Sequence, residues 1–228
     1  MRYWVGIAIG LLASASYGDR EPGGHKRTLP ELDQHLKYGR EQLESGFPLN
    51  AIACSQQVLL DRDVKIFFGN ASAENTDPVQ QAAAAWSSAL NNETRFVQTD
   101  KPEDAQIVVT FSKSLGDAQR EFGGYSKWIR KYGNQDGHWV AEMTATVQLR
   151  TVQPSGRPMN RQQRFHAACH ELGHILGLED SSVQGDVMGA LDLNHPATGP
   201  APEEIRALQT IREEARRLRA QAEARVGG

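Results

Sequence analysis

From His170 to Asp180 the chain reads His-Glu-Leu-Gly-His-Ile-Leu-Gly-Leu-Glu-Asp, and this string constrains how the surrounding domain is built. Residues four apart lie on the same face of a helix, so His170 and His174 present two imidazoles side by side. Two imidazole nitrogens held in this way can bind a zinc ion at about 2.0–2.1 Å. Glu171 lies roughly 100° around the helix. That position suits contact with a water on the metal better than direct ligation.

The residues after His174 predict a third ligand. Gly177 can adopt the left-handed conformation that ends a helix. The chain can then turn back and bring the carboxylate of Asp180 to the metal. Three protein ligands leave a fourth position for water, which is the arrangement of a catalytic zinc site and not of a closed structural site.

This string resembles the extended zinc signature of the metzincin metallopeptidases, H-E-x-x-H-x-x-G-x-x-H. Every fixed position matches except the last, where Asp180 replaces histidine, as it does in some small secreted metzincins. The family also has a methionine turn beneath the metal, and Met188 in Gly-Asp-Val-Met-Gly is the matching residue. The short spacing between the two is most similar to the matrixin branch. Two surface histidines on an amphipathic helix are the alternative, and the additional matches make it the weaker interpretation.

The resemblance implies an α+β fold: a metzincin-like catalytic domain with a twisted mixed sheet packed on two long helices, and a third helix after the methionine turn. It covers roughly residues 61–212. Four segments are therefore expected. They are a signal peptide (1–15), a leader with a helical strap or pro-region (16–60), the catalytic domain (61–212) and a polar C-terminal helical extension (213–228).

The activity implied by the resemblance is that of a zinc endopeptidase acting on protein or peptide substrates. Glu171 is expected to accept the proton of the attacking water and pass it to the leaving amine. His170, His174 and Asp180 would hold one catalytic zinc. Calcium has no supporting residue pattern. A non-catalytic, metal-binding interaction module with a metzincin shell is the alternative, and the presence of Glu171 favours the enzyme.

The charge of the chain bears on whether it binds nucleic acid or a membrane surface. The chain has 228 residues with 25 basic and 28 acidic side chains, a net charge of -3. This balance gives no reason to expect nucleic acid or an anionic membrane surface. The oligomeric state is not indicated.

The N-terminus predicts export to a secreted or periplasmic location. Arg2 precedes an apolar run from Trp4 to Leu12, and Ala13-Ser14-Ala15 offers a small-residue cleavage site. The run is too short for a comfortable membrane span. We expect cleavage after Ala15 and no membrane span in the mature protein, and an uncleaved anchor is the alternative.

The two cysteines, Cys54 and Cys169, allow three interpretations. A disulfide between them is our first expectation, because exported proteins meet oxidising conditions. Two free buried thiols are the second. The third is a latch in which Cys54 ligates the zinc, although its flanking residues do not resemble the switch motif of the matrixins.

Two other histidines near the signature are weaker candidates. His195 competes with Asp180 as third ligand but lacks the family spacing, and His166 is expected on the helix surface. In metzincins the strand before the zinc helix is the sheet edge along the cleft. If the strand over residues 139–150 corresponds to it, as the resemblance implies, it could pair with an extended substrate, and an ordinary strand is the alternative. The remaining predicted elements are a helix over 29–43, strands over 64–68, 94–98 and 106–111, a helix capped by Asp77, a loop region over 116–137 in which a short strand near Tyr125 is the alternative, a helix capped by Asn160, and a final helix from Pro202.

Overall fold

The computed structural model of the protein describes residues 12–13, 28–69, 71–115, 123–135 and 138–227. Its helices are α1 (Pro30–Glu44), α2 (Pro48–Leu59), α3 (Ala73–Ala89), α4 (Arg161–Leu176) and α5 (Pro202–Val226), with a short 3-10 turn at Pro102–Asp104. Its strands are β1 (Leu12–Ala13), β2 (Asp63–Phe67), β3 (Arg95–Gln98), β4 (Ile107–Ser112), β5 (Gly124–Gln135) and β6 (His138–Arg150).

The strands form one mixed sheet in the order β1-β5-β6-β4-β2-β3. Strands β2, β3, β4 and β6 run parallel, and β5 is antiparallel to β6. Helices α3 and α4 share the main apolar core with the sheet. The α+β fold with a mixed sheet, predicted from the sequence, is confirmed.

Helix α3 begins at Ala73, so the predicted cap at Asp77 is wrong and Pro78 lies inside the helix. A proline has no N–H to donate to the carbonyl four residues earlier, which is that of Glu74. The side chain of Arg164 on α4 donates to this carbonyl at 3.0 Å instead. The contact therefore satisfies the carbonyl that Pro78 leaves open and ties the two core helices together.

Trp86 on α3 lies in the main core and is fully buried. Its indole Nε1 donates to the carbonyl of Cys169 on α4 at 2.8 Å. Buried indole N–H groups need such a partner. Together with the Arg164 contact, this bond holds α4 in one orientation against α3. The orientation matters because α4 carries the zinc signature.

The predicted sheet edge is wrong. Strand β6 lies between β4 and β5, and the strand beside α4 at this side of the sheet is β5. The region predicted as a loop thus contains a strand, Gly124–Gln135, which pairs with β6 along its whole length. The short β1 pairs antiparallel with β5 at Trp128 and Lys127. It falls within the predicted signal peptide, and the rest of residues 1–15 lies outside the described residues.

The N-terminal segment forms two helices where the sequence predicted one. Helix α1 matches the prediction closely, but α2 was missed. Both pack against the C-terminal half of α5 in a second apolar core. Its members come from all three helices: Leu32, Leu36, Leu43, Ala51, Val58, Leu59, Ile211, Ala215, Leu218 and Ala222.

Candidate metal centre

Three side chains converge at the C-terminal end of α4. The Nε2 atoms of His170 and His174 lie 3.1 Å apart. The Oδ1 atom of Asp180 lies 3.2 Å from the first and 3.4 Å from the second. Ligands at 2.0–2.1 Å from a tetrahedral zinc are separated by about 3.3–3.4 Å. The three atoms therefore form a triangle of the size that one face of a zinc tetrahedron requires. Among the described residues they are the one cluster of this kind.

Backbone carbonyls set the tautomers of both imidazoles. His170 Nδ1 lies 2.9 Å from the carbonyl of Val187, and His174 Nδ1 lies 2.7 Å from that of Leu178. A carbonyl can only accept, so each neutral ring carries its proton on Nδ1 and turns a lone pair on Nε2 towards its neighbour. Two lone pairs and a carboxylate oxygen that face one another repel, and a cation bound between them would stabilise the arrangement. These donors fit zinc.

Without a metal, the electrostatics of the three groups are strongly coupled. Burial opposes a charge on His170, but its hydrogen bond to Asp180, the charges of Glu171 and Asp180 and the bond to the carbonyl of Val187 together outweigh burial and raise the pKa of His170 to about 9. Burial also opposes ionisation of Asp180, yet the bonds to both histidines hold the pKa of that carboxyl well below its usual range. The carboxylate is thus ionised at neutral pH and available to a cation.

Local backbone geometry brings Asp180 to the histidines. Helix α4 starts with the predicted capping box between Asn160 and Gln163. It ends at Gly177, whose φ of 112° lies in the left-handed region that side chains rarely adopt. The chain reverses there, and the N–H of Ser181 then donates to the carbonyl of Met188 at 2.7 Å. This bond joins the turn that carries Asp180 to the methionine turn.

The methionine turn lies directly beneath α4. Met188 is 1% exposed, and its sulfur sits against the Cα of Gly173, where any added side-chain carbon would collide with it. The buried carboxylate of Glu204 accepts from the N–H of Met188 at 2.9 Å and from the N–H of Ala201 at 2.6 Å. Glu204 thereby links the turn to the start of α5. No local sequence pattern predicts this link, because the partner of Glu204 lies in the methionine turn and not on its own helix.

Glu171 is on α4, and its side chain lies against Gly124, the first residue of β5. It is 4% exposed, and a Cβ built on Gly124 would lie 2.6 Å from both its Cγ and its Oε1. The absence of a side chain at Gly124 therefore leaves the space that the Glu171 carboxylate occupies. No sequence pattern singled out this glycine, because Glu171 lies on a different element of the fold.

The other candidate histidines are not metal ligands in this structure. His195 lies on the surface with a side-chain exposure of 87% and pairs with Asp192 at 3.4 Å. His166 is buried, so its predicted surface position is wrong. Its Nδ1 accepts from the N–H of Ala197 at 2.8 Å. Burial, followed by the nearby His170, lowers the pKa of His166 to about 4. A neutral His166 thus braces the loop that follows the methionine turn.

The predicted disulfide is wrong, because Cys54 and Cys169 are both buried and no bond joins their sulfur atoms. Cys169 lies in the main core, where burial raises the pKa of its thiol. Cys54 lies on α2, with its Cβ facing Gly39 of α1. The two thiols face different cores, so they cannot meet. Cys54 is also absent from the metal cluster, which removes the latch interpretation.

A cavity of about 470 Å³ begins at Ser181, the residue after Asp180, and is lined by residues 181–184 and 190–192. It is bounded by the turn that follows Asp180 and by the loop that His166 braces. A space of this size next to the metal cluster could receive a substrate side chain.

Comparison with known families agrees with this geometry. The family model described as matrixin matches residues 65–210, which is more than half of the chain. A search of curated proteins finds no significant match. Every helix in the described ranges is too short or too polar to cross a membrane. The match includes β2 through β6, α4 and the methionine turn, and it excludes α1, α2 and the second half of α5.

Proposed function

Because the chain belongs to the matrixin family of zinc metallopeptidases, we propose that it is a secreted endopeptidase whose attacking water is activated by Glu171. The observation that carries the proposal is the triangle of His170, His174 and Asp180, with both imidazole lone pairs turned inward. When bound there, zinc supplies polarisation of the scissile carbonyl and a lower pKa for the attacking water.

Each side chain of the site would then have a separate role in binding the metal or transferring a proton. His170, His174 and Asp180 hold the ion, and the carbonyls of Val187 and Leu178 keep the two rings oriented. Glu171 takes one proton from the attacking water on its carboxylate and delivers it to the nitrogen of the leaving amine. The space over Gly124 keeps this carboxylate next to the metal cluster.

Strand β5 is the surface we expect an extended substrate to follow. It is the strand beside α4, and in the structure its outer edge already accepts the extended residues Leu12 and Ala13 in antiparallel pairing. Adding a strand to a free edge is a recognised way to bind peptides. Cleavage of the signal peptide after Ala15 would vacate this edge.

Peptide hydrolysis with matched variants tests the proposal. We expect the purified protein to cleave a casein substrate, to lose activity with a zinc chelator, and to regain it with added zinc. Glu171→Gln should keep its zinc and lose about 10²–10⁴-fold in kcat, the usual contribution of a positioned general base. Activity that is indifferent to chelator and to Glu171→Gln would refute the peptidase.

Export has a separate test. The mature protein, recovered from outside the cytoplasm, should have the mass of a chain that begins at Ser16. An intact Met1 terminus on that exported protein would contradict the proposed signal cleavage.

A further inference from the structure

The N-terminal segment makes main-chain contact with the end of α4 that carries the metal cluster. The N–H of Leu29 donates to the carbonyl of Gly177 at 2.7 Å, and Thr28 forms an antiparallel bridge with Leu178. Leu32 packs on the bare Cα of Gly177. The carbonyl of Leu178 is the group that orients His174. The segment thus fastens the turn between His174 and Asp180.

A buried carboxylate strengthens this attachment. Glu31, on α1, is 2% exposed and accepts from Trp128 Nε1 at 2.8 Å and from Arg130 Nη1 at 3.1 Å. The Trp128 ring stacks on the ring of His174, with centroids 6.3 Å apart and planes 16° from parallel. Arg130 Nη2 donates to the carbonyl of Ile175 at 2.6 Å. Glu31 therefore holds the two side chains that flank His174, one at its ring and one at the next backbone carbonyl.

The rest of the segment is built into the domain. Helices α1 and α2 share an apolar core with the second half of α5, and Gly39 of α1 faces Leu218 and Cys54 closely enough that no larger residue fits. Gln57 of α2 donates to the carbonyls of Lys131 and Glu142 on β5 and β6. These three helical pieces lie outside the residues that match the family. They come from the two ends of the chain and share one apolar core beside the catalytic domain.

We propose that residues 28–60 stay on the active protein as a permanent part of the scaffold of the metal centre, and that Glu31 is a positioning residue for His174 and the Asp180 turn. A segment that is discarded on activation would leave the Arg130 guanidinium buried without its carboxylate and would expose the core of α5. Burying a charge without its partner is strongly unfavourable. The inference rests on the proposed function only in taking zinc as the ion bound.

Zinc affinity of the full-length chain tests the positioning role. Glu31→Gln keeps the size and the hydrogen-bond acceptor of the side chain but removes the charge that holds Arg130. We expect competition with a chromophoric chelator, well below each variant's Tm, to show about tenfold weaker zinc binding, a loss typical of residues that orient metal ligands. The cobalt-substituted variant should also show an altered visible spectrum. Glu41→Gln, an exposed carboxylate on the same helix, is the matched control and should behave as wild type.

If Glu31→Gln fails to fold, the double variant Glu31→Leu with Arg130→Met is measured in its place, since a buried ion pair can be replaced by apolar residues without loss of the fold. Weaker zinc binding in the folded variant supports the proposal. Wild-type zinc affinity with an unchanged cobalt spectrum would overturn the role of Glu31.

The mass of the active species tests retention. After prolonged incubation, the zinc-loaded protein that hydrolyses casein should still contain residues 28–60. An active species that begins beyond residue 60 would overturn this part. Failure of this inference and failure of the proposed peptidase activity can be told apart. If zinc binding depends on Glu31 but the protein does not cleave peptides, only the peptidase is refuted. If the protein cleaves peptides but its zinc affinity does not depend on Glu31, only the positioning role is refuted.

Discussion

Substituting Gly124 with alanine should disable the proposed base and leave the metal in place. A Cβ at this position would lie 2.6 Å from both Cγ and Oε1 of Glu171 and 3.0 Å from Cδ. Because Cγ is not the free end of the side chain, a rotation of the carboxylate alone cannot relieve the contact. The side chain must move by roughly 1 Å to restore an ordinary van der Waals distance, and a displacement of that size can cost about 10²-fold in rate.

The assay is steady-state hydrolysis of a peptide, with zinc content measured on the same sample. We expect kcat to fall about 10²-fold while the zinc content stays that of wild type, because the three atoms nearest to the added Cβ all belong to Glu171 and none to a metal ligand. Gly199→Ala is the matched control, since a Cβ there meets no atom within 4 Å. A Gly124→Ala variant that keeps its zinc and retains kcat within a factor of about three of wild type would refute the reasoning.

Three further predictions concern charge. Burial raises the pKa of Glu31, but its hydrogen bonds with His35 and Trp128 and the charge of Arg130 outweigh burial and lower the pKa from 4.5 to about 2, so the contribution of Glu31 to stability is complete above pH 4.5 and is lost as pH falls towards 2. Urea unfolding should show a loss on the order of 3 kcal/mol across that window, and a shallower dependence in Glu31→Gln. Glu204→Gln should lower the Tm by weakening the link to Met188, and an unchanged Tm in differential scanning calorimetry would contradict it. Asp180→His should move the activity optimum to lower pH, because a neutral ligand leaves more positive charge at the site to acidify the attacking water. An unchanged pH–rate profile would contradict it.

The sequence predicted that His170, His174 and Asp180 come together, because the contacts that decide this are local. The histidine spacing, Gly177 and Asp180 lie within one helix and one turn, where helical periodicity and the glycine conformation decide which side chains meet. The structure adds the acceptors Val187 and Leu178, which orient the rings.

The parts that the sequence did not predict depend on contacts between distant residues. Strand β5 lacks a regular apolar alternation, and it is a strand because β6 and α4 pack against it. Glu31 lies 97 residues from its partner Trp128, so no local pattern could mark it as buried. The disulfide was wrong for a similar reason, since an oxidising compartment would allow a bond but only packing decides whether Cys54 and Cys169 meet.

The central claim is that His170, His174 and Asp180 hold one zinc ion on which peptide hydrolysis depends. The most direct measurement is zinc K-edge X-ray absorption of the purified protein, with elemental analysis and peptidase assays of the same sample and of Asp180→Ala. We predict one zinc per wild-type chain, ligated by two imidazoles and oxygen at about 2.0–2.1 Å, and loss of both zinc and activity in the variant. Wild-type protein that cleaves peptides without zinc, or Asp180→Ala that keeps the same zinc spectrum and activity, would contradict the claim.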